Sequence, residues 1–87
     1  MGRDSNPLGR RVRRKDFIRG LQSAIEWNGD FDERTAVQDD DRWDSVAVMS
    51  AVMYINESVG TIVAAEALQR ARTVSDVVGL VAPDLAE

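Results

Sequence analysis

The stretch Asp41-Arg42-Trp43-Asp44-Ser45-Val46 leads directly into the longest helical pattern of the chain, which continues to Val59. One set of apolar residues in this pattern has the spacing of a buried helix face: Val48, Ala51, Val52, Ile55 and Val59. A second set follows a three-four spacing on another side: Val46, Met49 and Met53. The stretch therefore predicts a helix from about Ser45 to Ser58 or Val59 with two apolar stripes.

The second stripe has two interpretations. In a small helical domain it can be part of the core, so that the helix is buried nearly all round. Alternatively, it is an exposed surface that a partner protein contacts. Methionine side chains are flexible and recur at adaptable binding surfaces, which favours the partner interpretation.

Ser45 also has two interpretations. Serine is among the best N-cap residues, because its oxygen accepts a hydrogen bond from an otherwise unpaired backbone N–H. A serine at the start of a long helix is also a possible attachment point for a chemical group. We favour attachment, on the grounds given below.

Composition narrows the range of functions. The chain has 87 residues, of which 44% are hydrophobic, so we expect one small domain with a compact core. It contains neither cysteine nor histidine, which excludes disulfides, thiolate metal sites and Ser–His nucleophilic catalysis. No phosphate-binding loop and no metal-ligand cluster is evident, so we expect neither an enzyme nor a metal site. No apolar run reaches the ~20 residues of a membrane span, and we expect a cytoplasmic protein without membrane insertion.

The net charge of −4 is unevenly distributed. Residues 1–15 hold six positive side chains against Asp4 alone, whereas residues 16–87 hold five positive and fourteen negative ones. We interpret residues 1–15 as a flexible basic tail and residues 16–87 as the folded domain. A nucleic-acid arm at Arg10 to Lys15 is a weaker alternative, because the acidic body repels nucleic acid.

The first part of the domain predicts a helix and a long connection. A helix from Asp16 to about Asn28 is indicated by an amphipathic stripe of Phe17, Ile18, Leu21, Ala24 and Ile25, with Asn28-Gly29 as its stop. The polar connection from Asp30 to Asp44 is expected to be pinned by Phe31 and Val37.

The second part predicts two shorter helices. Gly60 ends the second helix, and residues 61–63 are interpreted as a buried loop. A short third helix, Ala64 to Ala71, is pinned by Leu68. Thr73 and Asp76 resemble a capping box for a fourth helix. Its expected buried face is Val74, Val77, Val78, Leu80 and Val81, and Pro83 closes it. The predicted fold is an all-α four-helix bundle with a long first connection and a short third helix.

Residues 16–82 resemble the acyl carrier protein family. The resemblance rests on Trp43-Asp44-Ser45-Val46, on Gly60 and Leu68, and on Thr73-Val74-Ser75-Asp76-Val77-Val78. It implies that the Ser45 hydroxyl carries 4′-phosphopantetheine and that Asp44 is recognised by a phosphopantetheinyl transferase. It also implies that Val46, Met49 and Met53 are read by partner enzymes. In some members of the family the interior sequesters an acyl chain. The residues expected to line the interior here are Val48, Ala51, Val52, Ile55, Val59, Ile62 and Leu68.

Departures from the family pattern indicate which kind of carrier this is. Helix two is poor in acids, Asp41 stands where the family has a leucine, and Val46 replaces the usual leucine. These features favour a specialised stand-alone carrier, and we expect it to be a monomer. We expect it to be loaded by a dedicated ligase or acyltransferase and to serve fatty-acid, lipid or secondary-metabolite biosynthesis. The alternative is a small helical interaction module without a prosthetic group.

Overall fold

The computed structural model describes residues 12–86, and this part of the chain is all-α. It contains four α-helices: α1, Arg14–Ala24; α2, Ser45–Val59; α3, Ala65–Gln69; and α4, Val74–Val81. A 3-10 turn, Ala82–Asp84, follows α4. No helix within residues 12–86 is long and apolar enough to cross a bilayer. The predicted helix order, long first connection and short third helix are confirmed.

The helices α1 and α2 pack antiparallel and form one side of the core. Near the end of α2, the Tyr54 hydroxyl donates to the Phe17 carbonyl near the start of α1 at 2.9 Å. At the opposite end, Ala24 and Val46 line one groove. A Cβ at Gly20 would overlap the Tyr54 hydroxyl, so the close approach of the helices requires glycine there. The largest fully buried side chains are Phe17, Leu21, Val37, Val48, Ile55, Leu68, Val74, Val77, Val78 and Val81.

Helix α1 ends earlier than its sequence predicts. The expected range was Asp16 to Asn28, but the helix ends at Ala24 and Glu26 takes a left-handed backbone with φ 57°. The Trp27 N–H donates to the Gln22 carbonyl at 3.0 Å, and the Gln22 side chain donates back to the Trp27 and Gly29 carbonyls at 3.1 and 2.9 Å. This turn buries Trp27, so packing of the indole ends α1 before the Asn-Gly pair.

Residues 12–15, which the sequence assigned to the tail, belong to the folded domain. Arg13 forms a parallel bridge with Ala86, and α1 begins at Arg14. The Ala86 N–H donates to the Val12 carbonyl at 2.8 Å. Val12 also packs against the core. The domain therefore begins earlier than predicted, while residues 1–11 lie outside the described residues.

The long connection is held to the start of α4 by backbone hydrogen bonds. The Val37 N–H donates to the Arg72 carbonyl, and the Val74 N–H donates to the Thr35 carbonyl, both at 2.9 Å. Val37 is fully buried, as predicted. Phe31 is half-buried and packs against Trp27, with the centres of the two rings 5.5 Å apart. Both predicted anchors therefore pack on the domain, and the backbone pairing adds a third attachment.

Two residues expected inside the protein lie at its surface. Gly60 ends α2 with φ 83°, as predicted, and the chain then runs as coil to Ala64. Ile62 is 85% exposed, so the prediction that it lines the interior is wrong. Leu80 is 40% exposed, because Val77, Val78 and Val81 already occupy the buried face of α4. Leu68 is fully buried in α3, as predicted.

Candidate functional site

Ser45 is the first residue of α2, and Asp44 is its N-cap. The Asp44 carboxylate accepts a hydrogen bond from the Ala47 N–H at 2.8 Å. The backbone carbonyl of Asp44 accepts one from the Val48 N–H at 2.9 Å. The interpretation of Ser45 as the cap is therefore wrong. The Ser45 side chain is exposed, and its hydroxyl makes no hydrogen bond to another group within residues 12–86.

Two tight turns and the buried indole of Trp43 fix the position of the Ser45 backbone. The Asp40 N–H donates to the Val37 carbonyl at 3.1 Å, and the Trp43 N–H donates to the Asp40 carbonyl at 2.9 Å. Trp43 is buried, and its indole N–H donates to the Leu68 carbonyl of α3 at 3.1 Å. The backbone next to Ser45 is therefore fixed from two sides, by the long connection and by α3.

Arg42 joins the long connection to the end of α1. Its guanidinium donates to both oxygens of Asp40 at 2.9 Å and to the Asn28 carbonyl at 2.8 Å. It also lies 3.7 Å above the centre of the Trp27 ring, a cation–π contact. Hydrogen bonding to Arg42 lowers the pKa of Asp40 to about 2. Sequence reasoning missed this cluster, because its members come from separate elements.

The acidic residues before Ser45 do not form a metal site. Asp40 is engaged by Arg42, while Asp39, Asp41 and Asp44 are exposed. Among residues 12–86, no three acidic side chains converge closely enough to hold an ion. These carboxylates therefore contribute a negative surface around the start of α2.

The start of α2 retains two free backbone donors. Ala47 and Val48 are both bonded to Asp44, whereas the N–H groups of Ser45 and Val46 have no acceptor within residues 12–86. The positive end of a helix dipole and free N–H groups together favour an anionic group. An anionic group on the Ser45 oxygen would lie beside these two donors and beside the Asp44 carboxylate.

Two open grooves lie at the start of α2. The first, of about 320 Å³, is lined by Gln38, Asp39, Trp43, Asp44, Ser45, Val48 and Gln69. The second, of about 260 Å³, is lined by Ala24, Ile25, Glu26, Arg42, Asp44, Val46, Ala47 and Ser50. Ser45 lines the first groove only, so a group attached to it has space there, while the second groove lies on the other side of Asp44.

The second apolar stripe of α2 is at the surface, as the partner interpretation predicted. Val46, Met49 and Met53 are 72%, 53% and 60% exposed. On the other face of the helix, Val48, Ala51 and Ile55 are buried. The exposed residues, named here the α2 stripe, begin directly beside Ser45. The structure thus brings together the five site residues predicted from sequence: Asp44, Ser45, Val46, Met49 and Met53.

No family model, curated protein or solved structure matches this chain. The chemistry open to the site therefore follows from its own residues. Ser45 offers an accessible hydroxyl, and the adjacent N–H groups favour a negative substituent on it. Residues 12–86 contain no histidine, cysteine or metal cluster beside Ser45 that would activate the hydroxyl as a nucleophile.

Proposed function

We propose that this chain is an acyl carrier protein that bears 4′-phosphopantetheine on Ser45. The observation that carries the proposal is that Asp44 and Ser45, two adjacent residues, have different roles at the start of α2. Asp44 caps α2, which leaves the exposed Ser45 hydroxyl without a structural role. When bound, the prosthetic group supplies the terminal thiol for a thioester, so a chain without cysteine is suited to this task.

The residues of the chain have three tasks in this proposal. The N–H groups of Ser45 and Val46 hold the phosphodiester at the positive end of α2. The exposed carboxylates of Asp39, Asp41 and Asp44 attract the basic surface of a partner. The α2 stripe provides apolar contact beside the attachment point.

The proposed partners are a phosphopantetheinyl transferase, which engages Asp44, and a ligase or acyltransferase that loads the acyl or amino-acyl group. Downstream enzymes of fatty-acid, lipid or secondary-metabolite biosynthesis then receive the cargo. The chain itself performs no catalysis. It keeps an intermediate attached and raises its effective concentration near each partner.

Intact-mass spectrometry after co-expression with a broad-specificity phosphopantetheinyl transferase tests the proposal. We expect a mass increase of one 4′-phosphopantetheine group in the unaltered chain and none in Ser45→Ala. The matched control is Ser75→Ala, because Ser75 is also an exposed serine in the first turn of a helix. This variant should be modified as fully as the unaltered chain.

The alternative, an interaction module without a prosthetic group, is supported by the exposure of the α2 stripe alone. It predicts no mass increase under conditions in which the same transferase modifies a known carrier. It also predicts that Met49→Gln/Met53→Gln loses partner binding while Ser45→Ala does not. The absence of a mass increase would overturn the carrier proposal. Loss of binding through the α2 stripe alone would not, because the stripe contacts partners in both hypotheses.

A further inference from the structure

A third groove lies along α1 and takes no part in the function proposed above. It has a volume of about 650 Å³, compared with about 320 and 260 Å³ for the grooves at the start of α2. Helix α1 forms one wall, residues 31–33 form the other, and Ile18 and Phe31 provide apolar surface between them. We name it the α1 groove.

The two walls of the α1 groove carry opposite charge. The helical wall presents four cations: Arg13, Arg14, Lys15 and Arg19. The facing wall presents the carboxylates of Asp32 and Glu33. Within residues 12–86 a single ion pair crosses the groove, Arg14 to Glu33 at 3.2 Å. The groove has a net positive charge, in contrast to the acidic remainder of the domain.

Two of these cations are unfavourably placed for the stability of α1. Arg14 and Lys15 lie in the first turn, where the positive end of the helix dipole disfavours positive side chains. In addition, the Arg14 Nε atom is buried without a hydrogen-bond partner in the described part of the chain. An anionic ligand in the groove would offset the unfavourable placement of Arg14 and Lys15 at the positive end of the helix dipole.

The facing wall restricts what that ligand is. A nucleic-acid backbone is uniformly negative and would be repelled by Asp32 and Glu33 along its whole length. A protein segment differs, because it carries carboxylates, apolar side chains and backbone N–H groups on different sides. Its carboxylates would pair with Lys15 and Arg19, and its apolar side chains would contact Ile18.

We propose that the α1 groove binds an acidic, partly apolar segment of a partner protein. The groove begins at the N-terminal end of α1, whereas Ser45 lies beside the C-terminal end, because α1 and α2 are antiparallel. A partner held in the groove would therefore leave Ser45 accessible. This binding does not depend on modification of Ser45.

Fluorescence anisotropy with the unmodified full chain tests the proposal. The probe is a fluorescein-labelled, eight-residue peptide of alternating glutamate and leucine. We expect saturable binding that weakens at least tenfold in Lys15→Glu/Arg19→Glu, since both changes replace attraction by repulsion. The control, Arg70→Glu/Arg72→Glu, changes the net charge equally at exposed positions outside the groove and should bind within about twofold of the unaltered chain.

Further comparisons separate this site from unspecific attraction. A glutamate–serine peptide should bind more weakly than the glutamate–leucine peptide, because it cannot use the apolar surface, and a lysine–leucine peptide should not bind. The thermal midpoint of Lys15→Glu/Arg19→Glu should not fall, since a carboxylate at position 15 suits the helix dipole. The proposal is overturned by no binding at 1 mM protein, by equal losses in both double variants, or by tighter binding of a single-stranded oligonucleotide. Ser45→Ala should bind normally, so failure here is distinct from failure of the carrier proposal.

Discussion

The helices α2 and α4 both begin with a capping residue followed by a first-turn serine, yet their starts differ in how many donors are satisfied. At α4 the Asp76 carboxylate accepts the Arg72 and Thr73 N–H groups at 2.9 and 3.3 Å. The next N–H groups, of Val74 and Ser75, donate to carbonyls of the long connection at 2.9 Å. At α2 the cap satisfies two donors, and no neighbouring segment in residues 12–86 reaches the others.

We call a helix start closed when all its backbone N–H groups have acceptors, and open when some have none. The difference shows that a good capping sequence does not decide which of the two forms. The same connection, residues 30–44, runs past α4 and supplies acceptors there, and then turns into α2 without doing so. A closed start has no backbone donor left for another group. An open start retains donors and an accessible hydroxyl, which is what an attachment site needs.

The largest expected effect comes from removing the indole that supports the open start. Trp43→Ala should lower the free energy of unfolding by about 3–5 kcal/mol, because it removes a buried aromatic side chain. Urea unfolding followed by circular dichroism measures this. Trp43→Phe keeps a ring but leaves the Leu68 carbonyl without its donor, so it should lose less than Trp43→Ala. Equal losses would show that the hydrogen bond, and not the packing, fixes the open start.

A smaller effect is expected from the cap of α2 itself. Asp44→Ala should lower the free energy of unfolding by about 1 kcal/mol, because the Ala47 N–H loses its acceptor. Asp44→Asn keeps an acceptor of similar capping strength, so its stability should stay close to that of the unaltered chain. If thermal unfolding shows both variants to be equally destabilised, charge and not capping is the contribution of Asp44.

The smallest expected effect is a pH dependence of the stabilisation that Asp40 contributes near the start of α2. Pairing with Arg42 lowers the pKa of Asp40 to about 2. Because the folded-state pKa is lowered, the stabilisation is complete above about pH 4 and disappears as the pH falls towards 2. Urea midpoints measured between pH 5 and pH 2 should therefore converge for the unaltered chain and Asp40→Asn. A constant difference between the two would contradict this assignment.

Periodicity predicted the parts of the fold that depend on local spacing. The range of α2 is confirmed to within a residue, as are its two faces, the burial of Leu68 and the pairing of Thr73 with Asp76 at α4. The five predicted site residues are also together, because all lie in one segment. Local pattern is sufficient for such features, since helix geometry sets which side chains share a face.

The features that periodicity missed depend on contacts between distant residues. Helix α1 stops at Ala24 because Trp27 turns into the core and Gln22 bonds its carbonyl. Arg42 meets Asn28 and Trp27 only after the long connection has folded back. Asp44 and Ser45 are both good N-caps in sequence, so the choice between them depended on the turns that precede α2.

The pairing of residues 12–14 with Ala86 has a consequence for the topology of the domain. The Arg14 N–H donates to the Ala86 carbonyl at 3.1 Å, so the two ends of the described chain are adjacent. A short glycine-rich linker between residues 86 and 12 should therefore close the backbone into a ring. New ends opened at Ile62, which is 85% exposed in the coil after α2, would give a circular permutant. In such a permutant Ser45 would lie close to the new C-terminus in sequence, separated from it by little more than α2. Without permutation, the domain could be inserted into another protein by a pair of linkers that leave from adjacent points.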